Sequence, residues 1–89
     1  MELTQLICTA VEIIRNYCAE GEKDGAGKAV LSYVKKLFAQ NKDAKSVLSG
    51  FLKDSSNDSL RDDLKIYLRW ALKNKPNAKE ELEEIIENE

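Results

Sequence analysis

The sequence predicts an all-α protein, a compact antiparallel bundle of five helices, or six should the corner near Lys42 divide the chain further. Three observations lead there. Apolar residues recur at helical spacing in five segments, and strand-like alternation never persists beyond a few residues. The joints between segments are short, which favours antiparallel neighbours. With 89 residues the chain builds one domain around one modest core.

The first helix is expected over residues 3–20. There Leu3, Leu6, Ile7, Ala10, Val11, Ile14, Tyr17 and Cys18 make the widest apolar stripe of the chain, which places this helix nearest the centre. Gly21 follows, where a C-terminal cap belongs. A second stripe, Ala26, Val30, Tyr33, Val34, Leu37 and Phe38, ends near Asn41. A third and shorter one runs Ala44, Val47, Leu48, Phe51 and Leu52.

Residues 54–59 form a polar, turn-rich loop. Ser59, three residues before Asp62, gives a capping-box start to the fourth helix, although the start fits equally well two or three residues earlier. That helix carries Leu60, Leu64, Tyr67, Leu68 and Ala71 on one face. Pro76 breaks the pattern. Asn77 with Glu80 then opens a last helix with Ala78, Leu82, Ile85 and Ile86 inward. Tyr17, Tyr33, Phe38, Phe51, Tyr67 and Trp70 read as core or core-edge aromatics.

Several function classes lose their footing here. Histidine is absent, which removes the commonest general base and the usual mixed zinc sites. Cys8 and Cys18, ten residues apart on one helix, stand roughly 15 Å from each other, too far for a disulfide. They are expected reduced, with Cys18 in the core and Cys8 near its margin. The acidic pairs Asp62-Asp63, Glu80-Glu81 and Glu83-Glu84 suit solvated helix faces and the N-terminal dipole better than a metal. Gly25-Ala26-Gly27-Lys28 is no phosphate loop: Glu22 stands where the first glycine belongs, and Ala29 where a hydroxyl is needed. No catalytic residue, cofactor or metal is therefore expected, and the chain reads as a binding protein and not an enzyme. No apolar run approaches the roughly 20 residues that span a bilayer, and no secretory leader is apparent, so a cytoplasmic module is expected.

Charge is unevenly spread. Residues 23–53 carry seven lysines against two aspartates, while residues 77–89 carry one lysine against six glutamates. If the second helix continues through Lys42, then Lys28, Lys35 and Lys42 form one ridge, flanked by Lys36 and Lys45. Glu80, Glu83, Glu84 and Glu87 project outward from the last helix on the same reasoning. A basic side and an acidic side let copies associate head to tail. A ridge of lysines also suits phosphate backbones, but it has no arginine to read bases, and the acidic ends oppose a long polyanion. Ile66 and Trp70, four residues apart and beside the main stripe of the fourth helix, are either covered by a neighbour or left as an exposed anchor. Burial within the bundle is the reading preferred.

The layout resembles the small helical adaptor modules of bacterial defence proteins, the death-like, CARD-like or effector-associated domains found beside proteases, nucleases and pore-formers. The residues that carry the resemblance are Gly25-Ala26-Gly27-Lys28-Ala29-Val30 leading into Val34-Lys35-Lys36-Leu37-Phe38, then Val47-Leu48 through Phe51-Leu52. The 54–59 loop, Arg61 with Leu64 and Leu68, and Leu82 to Ile86 complete it. It spans residues 1–87 and transfers no individual binding residue. It implies a death-fold-like bundle, homotypic pairing and recruitment of an effector, although death folds have six helices where the pattern here yields five. The function expected is thus a homotypic interaction module that recruits or clusters an effector in a bacterial immune or cell-death pathway, its partner a copy of itself or a like domain. The alternatives are a nucleic-acid-associated protein using the lysine ridge, or a helical inhibitor or immunity protein that caps a basic toxin with its acidic last helix.

Overall fold

The computed structural model describes residues 2–19 and 26–87, and among these every regular element is a helix. They are α1 (Leu3–Ala19), α2 (Ala26–Leu37), α3 (Lys42–Lys53), α4 (Asp58–Asn74) and α5 (Ala78–Glu87). Gly21, expected to cap α1, lies outside the described residues, as do Glu22 and Gly25 of the rejected phosphate loop.

Asparagine side chains set two of the helix starts. The side-chain oxygen of Asn41 accepts the Ala44 amide at 3.1 Å, with Asn41 itself extended, so α3 begins at Lys42. The chain entering this cap cannot remain α-helical. Beyond Leu37 the amides of Ala39 and Asn41 reach back only three residues, to the carbonyls of Lys36 and Phe38. The second helix therefore stops short of Lys42, and the continuous Lys28–Lys35–Lys42 ridge does not form: Lys42 opens a new helix on its own axis. Farther on, Asn57 accepts the Leu60 amide at 3.1 Å and donates from Nδ2 to Asp54 at 3.2 Å, and Ser56 donates to the other Asp54 oxygen at 3.3 Å. Asn57, two residues before Ser59, is thus the cap of α4. Pro76 sits in the turn before α5, whose first turn holds Glu80 and Glu81, where carboxylates favour the helix dipole.

Packing is organised around α4, which touches all four other helices, while α3 makes its main contact with α4. Leu64, Leu68, Ala71 and Leu72 are its buried residues. Helix α1 supplies Leu6, Ile7, Ala10, Val11 and Ile14, none more than 2% exposed, but the place nearest the centre, expected for α1, belongs to α4, because α3 packs mainly on α4 and not on α1. Phe38 and Phe51 are fully enclosed, and Tyr17, Tyr33 and Tyr67 pack at the core edge. Among the described residues no polar or charged side chain is fully buried. The radius of gyration, 11.8 Å, is close to the roughly 12 Å expected for a well-packed chain of this length. Both cysteines are thiols at the core margin; Cys18, expected in the core, is only partly buried, beside the likewise partly buried Tyr17, while Ile14 takes the enclosed position at that end of α1.

Gly27 has a more specific role than a loose corner. A Cβ placed there would collide with Cβ of Tyr17 and come within 2.7 Å of the ring atoms Cγ and Cδ1, so the missing side chain is what lets α2 lie against α1. Gly50, by contrast, would bring its Cβ no closer than 3.5 Å to the Leu60 methyls, an ordinary contact. Alanine is worth about 1 kcal/mol more than glycine inside a helix. Gly50→Ala should therefore stabilise by about 0.5–1 kcal/mol, whereas Gly27→Ala should destabilise by about 1–3 kcal/mol through overpacking. Thermal unfolding of the two variants, at about 4–8 °C per kcal/mol for a domain this small, should shift the midpoint in opposite directions.

Candidate protein-interaction face

On α4 each residue advances about 100° around the axis, so Ile66 and Trp70 lie some 200° beyond Leu64 and Leu68. The buried leucines thus turn these two side chains away from the core. Ile66 is 65% exposed and Trp70 50% exposed, and they are the only large apolar side chains so placed among the described residues. This overturns the preferred burial of both. Their offset from the main stripe is real, but no neighbouring helix reaches round to cover it. Leaving such side chains in water forgoes roughly 1.5–3 kcal/mol each relative to burial.

Trp70 also forms one wall of an open cleft of about 330 Å³, shared with Lys36, Leu37 and Gln40 of the α2 end and with Asn74 and Lys75 after it. Asn74 donates from Nδ2 to the Trp70 carbonyl at 2.8 Å, closing the last turn of α4 beside the indole. The charged groups lining this cleft are both cations. Arg69, on the same helix, instead donates to the Thr4 hydroxyl at 3.0 Å and ties α4 to α1.

The lysines grouped by sequence are dispersed by the fold. Lys35 and Lys45 line a second depression, about 340 Å³, floored by Leu48 and Leu52. Lys36 belongs to the Trp70 side, and Lys28 and Lys42 are exposed near the starts of α2 and α3. On α5, Glu80, Glu84 and Glu87 are exposed as expected, but Glu83 is partly buried and already engaged within the chain. The two charged sets are not opposite poles, because α2 and α5 pack directly against each other.

One contact between those helices was not anticipated. The Tyr33 hydroxyl donates to Oε2 of Glu81 at 2.6 Å and stands 3.5 Å from the Ala78 carbonyl, joining residues 48 apart. Neither side chain has a local pattern that announces it. Around the pair, Tyr33, Glu81, Glu84 and Ile85 frame a shallow notch of about 360 Å³, apolar at its floor and acidic at its rim. Between this notch and the Trp70 cleft lies a smaller depression lined by Ala29, Ser32, Tyr33, Lys36 and Ile85, so the two features adjoin.

Burial, the hydrogen bond to Glu81 and that carboxylate's charge all push the Tyr33 hydroxyl to ionise later than an ordinary tyrosine. A pKa raised by folding contributes stability that is intact below the unfolded value, about 10, and is lost as pH climbs beyond it. Wild-type stability should therefore fall more steeply above about pH 10 than that of Tyr33→Phe, which at neutral pH should lose no more than about 1 kcal/mol for an exposed bond. Denaturant unfolding at neutral and alkaline pH reads both effects.

Among the described residues no three His, Cys, Asp or Glu side chains come together to hold a metal ion, and no helix is long and apolar enough to cross a membrane. Compared with known proteins, the chain matches no family model, no curated sequence and no solved structure.

Proposed function

We propose that this chain is a protein-interaction module and that Ile66 and Trp70 on α4 are its anchor. The carrying observation is the exposure of these two side chains, one turn apart on a helix whose other face is well buried. Tryptophan dominates binding hot spots because it covers much apolar area at little entropic cost. The surrounding surface is charged, which orients an encounter and makes it salt-dependent.

The setting comes from the resemblance of the sequence layout to effector-associated, death-like modules. On that reading the five helices are a death-fold-like bundle, the partner is a like domain or another copy, and binding recruits or clusters an effector in a bacterial immune or cell-death pathway. Such a module performs no chemistry. It raises the effective concentration of whatever is attached to its partner. The separate-pole version of homotypic assembly gains nothing from α2 and α5 lying side by side, so the apolar anchor takes the leading part and the charges a supporting one.

A photo-reactive phenylalanine replacing Ile66, activated in the cells that make the protein, should yield covalent adducts with another polypeptide. The same residue in place of Lys53, exposed at the end of α3, should give none. Because Ile66 is exposed, the replacement should change stability by no more than about 0.5 kcal/mol. Absence of any polypeptide adduct at position 66, with the protein folded and expressed, would sink the proposal.

A further inference from the structure

Resting on that interaction reading, we infer that the partner of the Trp70 face is a second copy of this chain, seated by a twofold axis so that Trp70 of each copy enters the Tyr33–Ile85 notch of the other. The two halves of the contact match in chemistry. The Trp70 cleft offers a half-exposed indole with Lys36 and Lys75 in its walls and no carboxylate. The notch offers the Tyr33 ring and Ile85 as an apolar floor, with Glu81 and Glu84 at its rim and no cation. Both carboxylates are exposed, but Glu81 is held by Tyr33, which leaves Glu84 as the one not engaged by that hydroxyl. Among the described residues Lys36, Lys75 and Glu84 make no ion pair within their own chain. These charges can therefore pair with one another across an interface.

Placement decides the symmetry. Lys36 lines the Trp70 cleft and also the depression that shares Tyr33 and Ile85 with the notch, so indole and notch flank one stretch of surface along the outer side of α2. A surface that bears both the projecting and the receiving half is complementary to itself under a twofold rotation, and the contact closes at two copies. Had the halves stood on opposite sides, the same complementarity would have propagated into a chain. Ala29 and Ser32, exposed between them, are small enough to let the two α2 helices approach. A contact this limited is a weak one, with a dissociation constant on the order of micromolar to millimolar.

Sedimentation velocity on the full chain, from about 10 µM to about 1 mM, at about 50 and about 500 mM salt, tests this. The expected result is a concentration-dependent shift from one chain to two with no larger species, weakened by salt. Trp70→Ala should weaken it at least about tenfold, and Glu84→Lys, exposed and so without consequence for folding, should weaken it as well. A monomer throughout at low salt overturns the inference. So does growth past two copies, which means open-ended stacking, or a dimer that neither variant affects. The adduct at position 66 keeps the two proposals apart. Adducts only with a different protein, beside a strict monomer, remove the dimer and retain the interaction module.

Discussion

The whole arrangement depends on one helix being satisfied from several sides at once. Leu64, Leu68, Ala71 and Leu72 of α4 are buried where α1, α2, α3 and α5 all converge, and α3 has α4 as its main neighbour. A small domain has little core to spare, so α1, α3 and α5 all depend on contact with this one, and α2 is held chiefly through α1 and α5. The same convergence explains why α4 begins so carefully. Asn57 caps it and is itself held by Asp54, which fixes where the leucine stripe starts and hence where it points.

That orientation carries a cost. Once the leucines face inward, the opposite side of α4 faces water, and there the sequence places an isoleucine and the only tryptophan. A chain shaped by stability alone would place polar residues at both positions. Nearby, α2 and α5 bring lysines and glutamates close together, so the strong segregation of charge along the sequence is softened in space. Apolar exposure is the more distinctive feature of the surface, and charge its trim.

Local pattern carried much of the fold and little of the surface. The five helices were legible because their apolar residues recur every three or four positions, and Asn and Pro mark the joints. The end of α2 was harder to read. Phe38 continues the apolar stripe, yet Asn41 caps the next helix and pulls the chain out of register just before it. That single competition undid the lysine ridge. For Ile66 and Trp70 the helical wheel correctly set them off the main face, but whether another helix covers that side depends on tertiary placement, which periodicity does not encode. The Tyr33–Glu81 contact is of the same kind: it joins helices distant along the chain, and nothing near either residue foretells it.

Since the lone indole stands half in water while the core is lined with leucine, valine and phenylalanine, its emission reports on the outer side of α4 and not on the interior of the bundle. Covering it takes it out of water. The protein therefore carries a built-in optical reporter that responds when something settles on α4.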